Sequence, residues 1–261
     1  MLTSIRLWSW LLAMGVLAGW EALTVLQGWS LLVLPPPSRI AQSLWQGLAN
    51  GFLWPHVGVT VFEMLAGLTL GCVLGLVGGI ALGEFPRGRA LLMPYVVVSQ
   101  VVPKLALVPL FIMWLGFGWW PTVVVTALIC FFPLLENTVT ALQQVEAQQL
   151  ELFRLLRASR WQTLWRLKLP AGLPTILAGF RVAVVLSLVG AVVGEFMGAG
   201  KGLGALIIAA QGSMDTPLMF AVLVLITVIG WGVYQVALCC ESWLLRRLSL
   251  PVSAEPVNLL R

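Results

Sequence analysis

Long apolar stretches, separated by short polar or glycine- and proline-rich segments, dominate the pattern of hydrophobic and polar positions along the chain. Each runs for about 20 residues, the length that an α-helix needs to cross a bilayer. A membrane β-barrel would instead show segments of about ten residues with alternating polarity. The pattern therefore predicts an all-α membrane protein with six transmembrane helices, at residues 7–26, 57–82, 93–114, 122–142, 175–194 and 218–238.

Two of these predicted helices carry features that affect their packing. Glycines recur every fourth residue along the second helix, and they are Gly67, Gly71, Gly75, Gly79 and Gly83. This spacing makes a smooth groove, which fits either ordinary close packing within the chain or a tight helix pair beside a pathway through the membrane. The third helix contains Pro94, Pro103 and Pro109, so it should be bent or broken.

The connecting segments divide the chain further. Arg6 and the apolar run after it have the outline of a signal peptide, but three tryptophans and the lack of a small-x-small cleavage site favour a retained helix. Three successive prolines at 35–37 should form a rigid turn before a short amphipathic surface helix at 40–48. The expected units are an N-terminal helix at 1–33, a periplasmic segment at 34–56, a core at 57–245 with a cytoplasmic loop at 143–172, and a cytoplasmic tail at 246–261.

Charged residues are few and unevenly distributed. They make up 10% of the chain, whereas soluble domains carry about 25%, so a soluble domain of this size is excluded. We interpret the net charge of +5 through membrane topology and not as a sign of nucleic-acid binding. If both termini are cytoplasmic, only Arg39 and Lys201 among the basic loop residues lie outside, which is the arrangement that the positive-inside rule favours.

The largest charged island, residues 151–170, lies between the fourth and fifth predicted helices. Its apolar residues recur at helical spacing on two faces, formed by Leu152, Leu155 and Leu156 and then by Trp161, Leu164 and Trp165. Ser159 followed by Gln162 has the form of a capping box, which predicts that a new helix begins at Arg160. Two short helices lying across one membrane face are therefore expected.

The spacing of this island resembles the cytoplasmic loop of permease subunits from binding-protein-dependent ABC importers, whose pattern is E-A-A-x3-G-x9-I-x-L-P. The positions that follow it are Glu151, Leu167, Leu169 and Pro170. The chain departs from the pattern where Leu152 and Phe153 replace the two alanines and Arg157 replaces the glycine. This last replacement affects a turn, where glycine has a conformational advantage.

The resemblance implies a homodimer of permease subunits in the cell inner membrane, with two cytoplasmic ATPase subunits and a periplasmic or lipid-anchored solute-binding protein. The island would be the loop that couples the ATPases to the spans. ATP and Mg²⁺ would be used by the ATPase, and this chain would bind no cofactor. The residues that would carry the coupling role are Glu151, Arg154, Arg157, Ala158, Ser159, Leu167, Leu169 and Pro170.

Other short segments resemble the branch of these permeases that serves nitrate, sulfonate, taurine and pyrimidine-type substrates; they lie at residues 169–174, 179–181, 194–196 and 202–204. Residues 99–104, with the sequence S-Q-V-V-P-K, look most like members that import pyrimidine vitamin precursors or flavin-like compounds. The resemblance therefore implies ATP-driven import of a small organic or anionic solute.

Ionisable residues inside the spans are candidates for the translocation pathway, because each is costly in lipid. Gln100 and Lys104 are four residues apart and could offer an amide and a cation to an anionic or carbonyl-rich solute. Lys104 could instead form a structural pair with Glu63, Glu136 or Glu195. Glu195, near the outer end of the fifth helix, could gate or tie the external loop.

Two rival classes remain open. An ion-coupled secondary transporter or channel would use such buried charges as ion sites, but it would usually show an inverted repeat, and none is visible here. A membrane-embedded enzyme has few candidate catalytic residues here, because the chain has one histidine, one aspartate and no metal-ligand pattern. We therefore expect a transport subunit with no catalytic and no metal-binding residues.

Overall fold

The structure, a computed structural model, describes residues 2–198 and 200–248, and these residues form helices and turns with no β-strand among them. A 3-10 turn at Lys104–Leu107 and a π turn at Leu164–Lys168 interrupt the α-helices. The α-helices are α1 Leu2–Leu26, α2 Pro37–Ala49, α3 Trp54–Glu84, α4 Pro86–Val101, α5 Val108–Leu115, α6 Trp119–Gln143, α7 Ala147–Leu155, α8 Arg160–Thr163, α9 Leu169–Gly198, α10 Leu203–Gly212 and α11 Thr216–Arg247.

The described helices account for the six predicted spans. Those that are long and apolar enough to cross a membrane are α1, α3, α6, α9 with the turns before it, and α11. Helices α4 and α5 together pass the same test, but they are bent by 83° at residues 102–103. The predicted break is thus confirmed, and Pro103, which has no N–H to donate, lies within it.

Helix α6 is the centre of the bundle and lies between α3 and α9. The glycine face of α3 packs on it so closely that a Cβ added at Gly71 would lie 2.6 Å from the carbonyl oxygen of Ala127. Helix α9 approaches α6 from the other side in the same way, since a Cβ at Gly179 would lie 2.6 Å from the Asn137 Cβ. The glycine groove therefore serves packing within the chain.

The remaining elements cover one end of this bundle. Helix α10 buries Leu203, Leu206 and Ile207 against Leu53 and Val222, at the end where α9 finishes. The predicted short amphipathic helix is α2, which packs against α11. Helix α1 is joined to the start of α2 by Glu21, whose carboxylate accepts hydrogen bonds from the Ser38 hydroxyl (2.6 Å) and backbone N–H (3.0 Å).

Several helix ends differ from the sequence prediction; α4, for example, begins at Pro86 and not at residue 93. The second short helix of the charged island is not separate, because α8 continues through the π turn into α9, which begins at Leu169 and not at residue 175. In the π turn the Leu169 N–H donates to the carbonyl of Leu164, just before Pro170, which has no N–H to offer. Helix α11 continues to Arg247, and most of the expected tail, residues 249–261, lies outside the described residues.

Candidate functional site: the α7 loop and the polar residues of the spans

The loop between α6 and α9 presents an apolar face that nothing in the described chain covers. Leu152, Leu155 and Leu156 are 54%, 78% and 68% exposed, and Glu151 beside them is also exposed. Leucines clustered on a short loop helix are typical of a surface that docks into a partner's cleft. The predicted common face is thus present, on α7 and its C-cap residue Leu156.

The turn after α7 keeps the geometry that a glycine would give it. The N–H of Ala158 donates to the carbonyl of Phe153 (3.0 Å), and the N–H of Arg157 donates to that of Arg154 (2.9 Å). This pair of bonds is a Schellman motif, whose C′ residue needs a positive φ. Arg157 adopts φ +53° at this position, so its substitution for the pattern's glycine leaves the fold of the turn intact.

The predicted capping box is confirmed at the start of α8. Ser159 Oγ accepts from the Gln162 N–H at 3.2 Å, and Gln162 Oε1 accepts from the Ser159 N–H at 2.8 Å. Leu169, by contrast, packs against Ala141 and other core residues. The eight predicted coupling residues are therefore divided into two groups. Those from Glu151 to Ser159 are exposed except for half-buried Ala158, and Leu167, Leu169 and Pro170 at the root of α9 are half-buried.

Two ion pairs that sequence reasoning missed connect the spans. Lys168 Nζ lies 2.6 Å from Glu84 Oε1 and joins the root of α9 to the end of α3. Arg181 Nε lies 3.2 Å from Glu241 Oε2 and joins α9 to α11, with both side chains largely buried. Unpaired charges in apolar spans signal that partners exist, but the sequence gives no information on which charges meet.

At the break between α4 and α5, the structure brings Gln100 and Lys104 together as predicted. Lys104 Nζ donates to Gln100 Oε1 at 2.6 Å, and both side chains are half-buried. The ion pairs that the structure describes do not join Lys104 to Glu63, Glu136 or Glu195. The amide and the ammonium thus form one polar group beside the break.

Glu195 lies instead in a buried polar cluster where α3, α9 and α10 meet. Its Oε2 accepts from the Gly204 N–H at 2.5 Å, and the carboxyl of Glu63 lies beside it. Both glutamates are only 1% exposed. Thr60 Oγ1 accepts from the Leu203 N–H at 2.8 Å, so the start of α10 is held by side chains of the two long helices.

These features define a helical membrane protein with several spans, and comparisons with known proteins identify its family. Residues 67–249 match the family described as the inner membrane component of binding-protein-dependent transport systems, and the chain belongs to this family. It is 38% identical to a riboflavin transport system permease protein of Chloroflexus aurantiacus, over 88% of this chain and 86% of that protein. It is 34% identical to a formylaminopyrimidine transport permease protein of Halalkalibacterium halodurans, over 76% of this chain and 79% of that one.

A solved structure has the same fold. A chain of the inward-facing MetNI methionine ABC transporter superposes with a TM-score of 0.63 at 18% identity, covering 75% of this chain and 94% of that chain. The protein is therefore a transmembrane permease subunit of an ABC importer for a small solute, an inner-membrane component that works with ATPase partners and is not itself an enzyme. This assignment decides against the secondary transporter and the membrane enzyme.

Proposed function

We propose that two copies of this chain form the pathway for a flat nitrogen heterocycle, such as a flavin or a pyrimidine vitamin precursor, delivered by a periplasmic or lipid-anchored binding protein. The observation that carries this proposal is the similarity to permeases named for riboflavin and formylaminopyrimidine transport over most of the chain. Both names describe ring compounds with several hydrogen-bonding groups. Sulfonate and taurine permeases are also related: a putative aliphatic sulfonates permease of Bacillus subtilis is 34% identical, as the formylaminopyrimidine permease is, and the taurine permease of Escherichia coli is 29% identical. The 38% identity to the riboflavin permease therefore carries the choice of a heterocycle.

The polar group at the break, Gln100 and Lys104, is the part of this chain that we propose contacts the solute. Non-helical backbone at membrane depth is tolerated only where it is covered by protein or lines a water-filled cavity. The break exposes Val101 (82%) and Leu105 (41%) on the surface of the single chain, so a second copy and the pathway between the copies would have to cover them. Lys104 has three N–H donors and uses one on Gln100, which leaves donors for a carbonyl-rich solute.

The α7 loop would be the contact with the ATPase, at the cytoplasmic ends of the spans. Its exposed leucines would enter a cleft of the ATPase, with Glu151 and Arg154 at the rim of the contact. Exposed arginines at the same end, Arg154, Arg157, Arg160 and Arg166, agree with a cytoplasmic location. ATP and Mg²⁺ would be bound by the ATPase chain, whose closure would move α7 and, through the root of α9, the spans.

The first experiment is a mild-detergent purification of the tagged chain from native membranes, with identification of every protein that accompanies it. We expect a cytoplasmic ATPase and a solute-binding protein. The complex is then placed in proteoliposomes, and uptake of labelled riboflavin, formylaminopyrimidine and taurine is measured with ATP or a non-hydrolysable analogue. ATP-dependent uptake of taurine alone would refute the heterocycle assignment, and purification of the chain without any ATPase would refute the coupling role of α7.

The pathway residues are tested in the same vesicles with Lys104→Met, which removes the ammonium but keeps an unbranched side chain. We expect uptake to fall about tenfold, because a hydrogen bond from a charged donor contributes about 1.5 kcal/mol. Leu105→Met, beside it, is the matched control and should transport normally. Loss of the assembled complex in Lys104→Met, and not of uptake alone, would show that the Lys104–Gln100 pair is structural.

A further inference from the structure

Helix α10 begins with backbone donors that its own sequence does not cap. Its N-cap is Gly202, at φ +126°, which has no side chain to accept them. The Leu203 N–H is taken by Thr60 Oγ1 of α3 and the Gly204 N–H by Glu195 Oε2 of α9. The first N–H groups of a helix need such acceptors, so the position of α10 depends on these two side chains.

Glu195 lies next to Glu63. The two carboxyls come from different helices and are almost completely buried side by side. Glu63 Oε2 and Glu195 Oε1 find no donor among the described residues, and the ion pairs of that part of the chain, Lys168–Glu84 and Arg181–Glu241, involve neither glutamate. Two adjacent carboxyls in such a place cannot both be ionised, because like charges in contact repel strongly where water does not screen them.

The surrounding groups determine which carboxyl keeps the proton. Glu195 accepts a hydrogen bond from the Gly204 N–H, has the Thr60 hydroxyl close by, and faces the N-terminus of α10, where the helix dipole favours negative charge. Glu63 has only the Thr122 hydroxyl of α6 near it, and this hydroxyl makes no hydrogen bond within the described residues. The nearby titratable residue on α3 is His56, whose Nδ1 lies 2.9 Å from the Gly202 carbonyl oxygen and so contacts the backbone of the loop.

We propose that Glu63 is an undissociated acid that donates its proton to the Glu195 carboxylate, and that this pair is the positioning element that fixes α10 on α3 and α9. The shared proton supplies the donor that both carboxyl oxygens otherwise lack. Under the proposed topology, on which only this consequence rests, α10 lies at the periplasmic mouth. Glu63 and Glu195 would thus set the shape of the entrance that receives the solute, without touching it.

The protonation state is tested by infrared spectroscopy of the purified chain in H₂O and D₂O at neutral pH. The wild type should show the carbonyl-stretch band of a buried undissociated carboxylic acid. Glu63→Gln should remove this band, whereas Glu195→Gln should leave it, because the acid remains on Glu63. Identical spectra for wild type and Glu63→Gln would overturn the proposal.

The positioning role is tested by hydrogen–deuterium exchange of residues 203–212 in the same preparations. Glu63→Gln keeps a neutral donor to Glu195 and should preserve protection, whereas Glu63→Leu removes the donor and should speed exchange at the start of α10 about tenfold. Equal exchange in the two variants would show that Glu63 contributes volume and not a proton. If Glu63→Leu does not fold, the infrared comparison decides alone, and neither measurement depends on transport or on the ATPase.

Discussion

The two short helices at opposite ends of the spans, α7 and α10, share one local design and differ in what covers them. Each ends in a Schellman turn with a non-glycine residue at positive φ, Arg157 at +53° and Met214 at +57°. In the second turn, the N–H of Asp215 donates to the carbonyl of Ala210 at 2.9 Å. Leu152 and Leu155 of α7 are 54% and 78% exposed, whereas Leu203 and Leu206 of α10 are 0% and 5% exposed.

This contrast shows that backbone geometry and burial are decided separately. The turn at each end is made by residues close in sequence, so it forms whether or not the helix has a partner. The apolar face of α10 is covered by α3 and α11 of the same chain, but that of α7 has no cover within the described residues. Helix α10 therefore belongs to the folded core, and α7 has the character of an interface.

A charge placed on each apolar face should show the difference in burial between α7 and α10 most clearly. Leu206→Asp would bury a carboxylate without a partner and should cost several kcal/mol, enough to unfold the α10 end. Leu155→Asp, on exposed α7, should leave the thermal unfolding temperature of the purified chain nearly unchanged while ATP-driven uptake is lost. Equal destabilisation by both changes, measured in the same detergent, would mean that α7 is covered within the chain.

A charge reversal on α7 should have the next largest effect. In Glu151→Lys the opposite charge would face the ATPase cleft, and we expect the uptake per ATP hydrolysed to fall about tenfold, since a charge at an interface sets affinity and register. Gln148→Lys, on an exposed position of the same helix, is the matched control. Normal uptake by Glu151→Lys, with the ATPase still bound, would contradict the role of this residue in coupling.

The caps of the two ends can be compared by removing one hydroxyl from each. Thr60→Val leaves the Leu203 N–H buried without an acceptor and should lower the stability of the α10 end by about 2 kcal/mol. Ser159→Ala removes the acceptor of the Gln162 N–H, which water can then reach, and it should cost about 1 kcal/mol. Local exchange rates of α8 and α10 measure both effects, and a larger loss for Ser159→Ala would reverse the comparison.

The smallest effects are expected at the two residues with positive φ. Arg157→Gly and Met214→Gly each relieve about 1 kcal/mol of backbone strain, but the added freedom of the unfolded chain offsets much of this gain. Stability should therefore change by less than about 1 kcal/mol in either variant. Uptake distinguishes them: if Arg157→Gly alone transports poorly, the guanidinium itself contacts the ATPase.

The sequence was sufficient for those parts of the fold that depend on neighbouring residues. The six spans follow from the length of apolar runs, and the capping box of Ser159 and Gln162 from a spacing of three residues. The beginning of α9 at Leu169 was not predicted in this way, because the apolar run begins only after Pro170 and Pro174, whereas the π turn before Pro170 accommodates a residue without an N–H.

The buried polar contacts between helices could not be predicted from local sequence patterns. Glu63 and Glu195 lie on separate helices, and Lys168 meets Glu84 across 84 residues of sequence. Which charges come together depends on how the helices rotate and cross, and that is fixed by the glycine contacts on α6 and not by any local pattern. Gln100 and Lys104 were brought together correctly because they are only four residues apart.

The two glycine faces that enclose α6 also determine how this protein can change over generations. Every amino-acid substitution of a glycine introduces a larger side chain, and at the glycines of α3 and α9 that face α6 even a methyl group would meet backbone or Cβ atoms of α6. Harmful inherited variants should therefore be concentrated on these two narrow strips. The opposite side of α3, where Phe62, Leu65 and Val73 are exposed in the single chain, is free of this restriction.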